Sequence, residues 1–421
     1  MRILHINRFL NAGGAARAAF RLHEALRNSN IDSVFLTPDS ITTEYTVRRQ
    51  QHSSIALKVY RKIWQKYHQR RIDKLCEKES GFYSLGATSA NILPEIRNLN
   101  SDIVNLHWTS DVLSIPDVRN ITKPIVWTFH DMWPMCGAEH YTSDKPTANF
   151  RIGYSTRRNF LGENSDSINS LIWRRKRKNW AEVKFTVVSP SKWLATCAAE
   201  SILFKNADIH TVPNPIDAEG FWSPLEKKAA RHFLNLPKSK NLILMGAAGG
   251  VEDPRKGGDL LRRAMHDLHK DDSLEAEILI FGQEQPTSSA QDWPYKVHWL
   301  GQVQDDRLLK LIYSAADIMI VPSRQDNLPN TAVEAQACGL PVVAFKTGGL
   351  PDIIAHKKTG WLANPFAADD LAAGIAFIIR DRARRMKMSA AARQHCLSNY
   401  SYSRIANRYR EIYSTILRKG R

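Results

Sequence analysis

Short apolar runs alternate with longer amphipathic stretches along the whole 421-residue chain. The first half contains ILHI (Ile3–Ile6), SVFLT (Ser33–Thr37), DIVNLH (Asp102–His107), PIVWTFH (Pro124–His130) and FTVVSPS (Phe185–Ser191). The second half repeats the style with NLILMGAA (Asn241–Ala248), AEILIFG (Ala276–Gly282), KVHWLG (Lys296–Gly301), ADIMIVPS (Ala316–Ser323) and PVVAF (Pro341–Phe345). These runs are rich in β-branched and aromatic residues and lack a polar alternation, the pattern of strands buried on both faces of a parallel sheet. Helix-like segments such as GAARAAFRLHEALRN, DDRLLKLIYSAA and NTAVEAQAC separate them. Two consecutive β-α-β series predict an α/β protein of two doubly wound domains.

Prolines 213, 215 and 224 in HTVPNPIDAEGFWSPLEKK interrupt regular structure and mark the boundary. The expected division is a first domain over 1–212, a second over 217–397 and a terminal helix over 398–421. In that last segment Ile405, Tyr409, Ile412, Tyr413 and Ile416 fall on one helical face.

Hydrophobic residues make up 43% and charged residues 24% of the chain, ordinary globular usage that excludes a disordered protein. No run approaches the ~18–20 apolar residues of a membrane-spanning helix, and MRILHINRFLN turns polar too early for a signal peptide. The five cysteines (Cys76, Cys136, Cys197, Cys338, Cys396) form no CxxC pair, which argues against a disulfide framework or a structural zinc site. A cytoplasmic location is expected.

Lysine and arginine total 59 against 42 acidic residues, a net charge of +17. That balance favours polyanions: nucleic acid, nucleotide phosphates or an anionic membrane surface. Basic residues concentrate in Arg174–Lys178 and in Ile55–Lys78, where eight basic and two acidic residues give +6. If Ile55–Lys78 is helical, Ile63, Trp64, Tyr67 and Leu75 supply an apolar side among the cations, suited to peripheral contact with anionic lipid. An ordinary solvated helix has the same composition. Nucleic acid is not the expected partner, because no RNP-like strand, zinc finger or helix-turn-helix pattern is present.

Candidate chemistry begins at Gly13 and Gly14, directly after the first strand and at a helix start, where backbone amides attract anions. The turn is not GxGxxG and no acidic residue ends the second strand, which disfavours a nicotinamide dinucleotide. In GGVEDPRKGGDLL, Arg255 and Lys256 stand at a glycine-flanked helix start, two cations able to neutralise a diphosphate. The richest string is VPSRQDNLPNTAVEAQACGLPVVAFKTGGLPDIIAHKKTGWLA. There Asp326 precedes a helix beginning at Asn330 or Thr331, and Glu334 lies about one turn inside it, so both carboxylates flank one amide-rich terminus. Gly348–Gly349 follows the next strand as a second phosphate-sized turn. His107 and His130 each close a buried strand at the carboxyl end, where ligands of α/β sheets gather; His107 is expected simply to cap its strand.

The ordered string from Pro322–Ser323 through DNLPNT, Glu334, GLPVVA, Gly348–Gly349 and TGWL resembles the nucleotide-binding signature of retaining GT-B glycosyltransferases. Within these it is similar to the large bacterial family (family 4 type) that builds capsule, O-antigen and exopolysaccharide. The GG loop, TFHDMW, SPS, VPNPID and PRKG extend the resemblance over nearly the whole chain. It implies two Rossmann-like domains facing a cleft that closes on binding, the first for the acceptor and the second for the nucleotide sugar, with the terminal helix crossing back to the first domain.

The resemblance also implies roles. Glu334 would bind the ribose hydroxyls and Asp326 would face the donor sugar. Backbone amides around Asn327, Leu328, Asn330 and Thr331 would approach sugar and diphosphate. Lys256, with Arg255, would stabilise the departing diphosphate, and the Gly14 amide would meet phosphate. His130 would lie near the sugar and the attacked carbon, and the base would sit near Gln302 and Val303. Two departures stand out: Asp326 replaces the more usual Glu, and Gly250 occupies a position where the family often has Arg. The expected reaction moves a hexose from a UDP- or GDP-sugar to a hydroxyl of a saccharide acceptor, expected to be lipid-diphosphate-linked and presented at the inner face of the cytoplasmic membrane. Configuration is retained by front-face attack. No Asp-x-Asp pair suited to a divalent ion is present, so neither metal nor cofactor is expected. A GT-B epimerase or phosphorylase remains the alternative.

Overall fold

The computed structural model describes residues 1–38, 44–49, 63, 66, 70, 73, 82–154, 167–246, 253–270, 274–285 and 293–420. The chain divides into two compact units, Met1–Pro213 together with Ala406–Arg421, and Asn214–Ile405. Each is an α/β unit around one parallel sheet, a Rossmann-like architecture.

The first sheet contains β1 (Arg2–Ile6), β2 (Asp32–Thr37), β3 (Val47–Arg49), β4 (Ile103–Leu106), β5 (Ile125–Thr128), β6 (Phe185–Ser189) and β7 (Asp208–Thr211). Their order is β3-β2-β1-β4-β5-β6-β7, so the winding reverses between β1 and β4. The second sheet contains β8 (Asn241–Gly246), β9 (Ala276–Phe281), β10 (Val297–Trp299), β11 (Ile318–Val321), β12 (Val342–Phe345) and β13 (Gly360–Ala363). Its order, β10-β9-β8-β11-β12-β13, places the reversal between β8 and β11. Loops at the carboxyl ends of strands beside such a reversal form the natural ligand crevice of an open α/β sheet.

The missing polar alternation has a direct cause. Along β8 and β9, Leu242, Leu244, Leu279 and Phe281 enter the apolar cluster on one face, whereas Ile243, Met245, Ile278 and Ile280 enter the cluster on the other. Each fully buried aliphatic side chain contributes roughly 1.5–3 kcal/mol. The three strands absent from the hydrophobic pattern, β3, β7 and β13, are all sheet edges. β7 has no buried residue and β3 has one, so solvent removes the apolar signal there.

The terminal segment consists of two helices, Arg382–Tyr400 and Tyr402–Lys419, separated at Ser401, where Ile216 N donates to Tyr400 O at 2.9 Å. From Ala406 onward the chain rejoins the first unit. Tyr409 and Tyr413 are buried there: Tyr409 Oη lies 3.2 Å from Thr128 Oγ1, and Asn105 Nδ2 donates to Tyr413 Oη at 2.8 Å. Of the predicted apolar face, Ile405, Tyr409, Ile412 and Tyr413 are buried and Ile416 is half-buried. Among the described residues, no helix is long and apolar enough to cross a membrane.

Candidate functional site

In the second unit, three loops at the carboxyl ends of the adjacent strands β8, β11 and β12 are bonded into one structure. The short 3-10 turn Pro254–Lys256 opens with the Asp253 side chain accepting from Arg255 N at 2.9 Å. Lys256 Nζ donates to Asp326 Oδ2 at 2.6 Å, and Arg255 Nη1 lies 3.6 Å from the same oxygen. Arg255 Nη1 also donates to Gln325 O at 3.1 Å, and Arg324 N to Arg255 O at 2.8 Å. Gly257 has φ +70°, and a Cβ there would overlap the Pro322 carbonyl oxygen, so only glycine brings the cationic turn this close. Gly348 (φ +53°) packs likewise against the Asp326 backbone.

Asp326 is buried. Burial alone would raise its pKa, yet the adjacent Lys256 and Arg255 charges and the Asn327 amide, 3.1 Å from Oδ1, hold it below the usual carboxylate range. Asp253 Oδ2 lies 3.5 Å from Arg255 Nη2, so the site keeps two cations and two carboxylates locked together, with Ser323 Oγ 3.4 Å from Asp326 Oδ2. Arg324 extends the network in a forked pair with Asp259 at 2.7 and 2.6 Å.

The helix Asn330–Ala337 starts where predicted, after Pro329, and no side chain caps it. Glu334 is buried on it, accepting from Tyr313 Oη at 2.9 Å. Asn330 Oδ1 accepts from Asn214 Nδ2 at 3.4 Å. Asn327 and Leu328 are buried, with Leu328 in the apolar core, and Thr331 is half-buried at the helix start. Gln302 is exposed beyond β10 and donates to Gly282 O at 2.6 Å, while Val303 packs on the core. Gly250 lies outside the described residues.

One expectation needs correction. The Gly348–Gly349 turn is no phosphate nest: Gly349 N donates to Asp326 O at 3.0 Å. The turn spends that amide on fixing the Asp326 loop.

In the first unit, Gly13 adopts φ +86° and the helix Gly14–Asn28 starts directly after it, with Gly14 exposed. His130 follows β5 and opens a closed loop. Met132 N donates to His140 O at 2.9 Å, Trp133 N to Asp131 Oδ1 at 2.9 Å, and His140 Nδ1 sits 2.6 Å from Asp131 Oδ2. Burial would raise the Asp131 pKa, but contact with His140 lowers it below its ordinary value.

The loop is pinned from beneath by Lys176 of the helix Ser167–Trp180. Its fully buried ammonium donates to the carbonyls of Trp133, Cys136 (3.0 Å) and Gly137 (2.7 Å) and lies 3.8 Å from the Trp133 ring centroid. Burial pulls its pKa down to about 7. The run Arg174–Lys178 is thus not wholly a solvated cationic face. Of the other basic stretch, Ile63, Lys66, Arg70 and Asp73 are helical and exposed; Trp64, Tyr67 and Leu75 lie outside the described residues.

His107 does more than cap β4. It sits between His5 and His130, hydrogen-bonded to both. His5, His140 and Lys176 escaped the sequence reading because nothing local marks them: His5 is one residue of an apolar strand, and Lys176 one of several cations.

Residues 12–219 match the profile described as Glycosyltransferase Family 4, and residues 226–395 the one described as Glycosyl transferases group 1. The D-inositol 3-phosphate glycosyltransferase of Segniliparus rotundus is 30% identical over 229 residues, covering 50% of this chain and 48% of that protein. The chain spans about half the length of the curated relatives it matches. Among solved structures, the sucrose-phosphate synthase of Thermosynechococcus elongatus superposes with a TM-score of 0.68 at 18% identity, covering 99% of both chains. Anabaena HepE in complex with UDP-glucose gives a TM-score of 0.65 at 14% identity, over 99% of this chain and 100% of that one. The chain carries a glycosyltransferase family 4 domain followed by a group 1 domain, in the GT-B fold.

Proposed function

We propose that this chain is a retaining hexosyltransferase that moves a hexose from a UDP- or GDP-sugar to a hydroxyl of a saccharide acceptor. The observation that carries the reading is the Lys256–Arg255 cation pair fixed on buried Asp326 beside the β8/β11 reversal. Buried Glu334 stands one turn inside the helix that follows.

As the diphosphate departs, negative charge grows on the leaving oxygen and the sugar becomes oxocarbenium-like. Fixed cations and helix-start amides lower that barrier because they are already oriented when the charge appears. Asp326 aims Lys256 and faces the sugar; Lys256 and Arg255 take up the developing charge. Amides at Asn327, Leu328, Asn330 and Thr331 hold sugar and diphosphate, with the Gly14 amide as a further phosphate donor. Glu334, oriented by Tyr313, accepts from the ribose hydroxyls, and Gln302 and Val303 border the base. His130 lies at the sugar. The acceptor binds the first unit, attacks from the leaving-group face and gives its proton to the departing phosphate, which preserves configuration without a resident metal. The UDP-glucose held by the similar Anabaena protein supports UDP as the carrier.

The acceptor of this reading is a lipid-diphosphate-linked saccharide for cell-surface polysaccharide, presented at the inner face of the cytoplasmic membrane. A second reading, glycosylation of a small polyol phosphate, is favoured by the curated relatives named D-inositol 3-phosphate glycosyltransferases. A thermal-shift panel of UDP-, GDP- and ADP-sugars, followed by product analysis with each acceptor class, tests both. One donor should raise the melting temperature, with turnover strongly lowered in Lys256→Ala and Glu334→Ala while the fold persists. Near-normal turnover in both variants would refute the site.

A further inference from the structure

Three histidines of the first unit form a continuous hydrogen-bonded chain through its sheet. His5 lies on β1, His107 directly follows β4, and His130 stands two residues beyond β5. His5 Nδ1 is 2.9 Å from His107 Nε2, and His107 Nδ1 is 3.0 Å from His130 Nε2. The neighbouring rings are inclined by only 25° and 29°. His5 and His107 are buried and His130 half-buried.

Burial lowers the pKa of all three, that of His130 to about 4, so each ring is neutral near pH 7. A neutral imidazole has one donor and one acceptor nitrogen. Two such bonds in series therefore leave two arrangements. In one, His5 donates to His107 and His107 to His130, with every proton on Nδ1. In the other the direction reverses and every proton sits on Nε2.

His5 Nε2 decides between them. It is buried and finds no partner among the described residues. Its aromatic neighbours are Phe35, stacked at 6.3 Å, and His23, edge-on at 6.1 Å. Both His23 nitrogens are engaged, with Ser33 and Thr46. An orphaned N–H donor in such a place is rarer and costlier than an unused lone pair. The bare nitrogen belongs at His5 Nε2, and the protons belong on Nδ1.

We propose that His107 and His5 are positioning residues that fix His130 as its Nδ1–H tautomer, with His130 Nε2 spent as the acceptor of the His107 proton. The role rests on the reading that His130 meets the donor sugar. Its consequence is chemical: neither nitrogen of His130 is left as a base, so the acceptor's proton goes to the departing phosphate.

Long-range proton–nitrogen NMR of the full chain carrying ¹⁵N-histidine, at pH 7.5, reads each tautomer directly. The signals are assigned by their loss in His130→Gln and His107→Phe, the second keeping a ring in the stack. Protonated Nδ1 and bare Nε2 are expected at His107 and His130, with His130 reverting to the Nε2–H form once His107 is removed. Nε2–H or doubly protonated rings in the wild type, or a His130 signal unmoved in His107→Phe, would overturn the assignment. If His107→Phe does not fold, the wild-type tautomers alone decide. In turnover assays kcat should fall roughly tenfold in His107→Phe, as for other orienting partners, with the donor KM little changed; an unchanged kcat would refute the positioning role. Failure of the wild type to bind any nucleotide sugar would remove the proposed function but not the tautomer assignment.

Discussion

The two sheets reverse their winding in the same way, and each gathers its chemistry at the carboxyl ends of strands beside that reversal, yet with opposite electrostatics. In the second unit, Arg255, Lys256 and Asp326 are all charged and locked by ion pairs. In the first, His5, His107 and His130 are held neutral by burial, and the ammonium of Lys176 is spent on loop carbonyls. Net charge alone is therefore a poor guide to where an anion goes. On the proposed function the contrast is also one of purpose: fixed charge would suit a departing diphosphate, whereas neutral, oriented rings would suit an uncharged sugar.

The largest effect expected from breaking this contrast is Lys256→Ala. On the proposed function it removes the cation that faces the leaving group, and it leaves Asp326 buried beside Arg255 alone. Turnover should fall by about 10²–10³, and loss of a buried partner should cost ~3–5 kcal/mol of stability. Steady-state kinetics and denaturant titration measure the two losses. Lys256→Ala with Asp326→Asn should recover much of the stability and none of the turnover.

Next comes Gly348→Ala. Its φ of +53° and its contact with the Asp326 backbone force the loop to shift, so a loss of ~1–3 kcal/mol is expected together with weakened donor binding. Calorimetry of donor binding that matches the wild type would show that the glycine clamp does not set the site.

The first unit should in turn be the acid-sensitive one. His23 and His130 are lowered by burial to about 4 from an ordinary 6.5. Between those values the unfolded chain binds more protons than the folded one, so stability falls as pH drops from about 6.5 to 4. Urea midpoints at pH 7.5, 6 and 5 should decline, with a shallower slope in His23→Gln. The smallest effect is expected at Gln302, whose exposed side chain holds Gly282 O. Gln302→Ala should change the donor KM a few-fold and leave kcat alone, read from initial rates.

The second-unit site was largely legible in the sequence because its parts are local and ordered. PRKG, DNLPNT and the helix to Glu334 each carry their own turn or helix signal, and the fold only has to bring three neighbouring loops together. The Gly348–Gly349 turn was misread because a positive-φ glycine looks alike whether it receives a phosphate or another loop's backbone. The first-unit candidates legible in the sequence were Gly14, His130 and His107, the last expected only to cap its strand. His5 and His107 are separated by 102 residues and meet through strand pairing, in which His5 lies opposite Asn105. Buried strands were readable from apolar runs; of the four sheet edges, β3, β7 and β13 were not, whereas β10 was, because its Val297 and Trp299 pack against the apolar cluster of their sheet although no residue of the strand is fully buried.

The central claim is that the cationic turn on Asp326 and the helix bearing Glu334 together grip a nucleotide sugar. Isothermal titration of UDP-glucose and GDP-mannose into the wild type and Glu334→Ala tests it most directly. One donor should bind the wild type at a single site, with that heat lost in the variant. Absence of binding by either sugar to the wild type, or equal binding to both proteins, would contradict it.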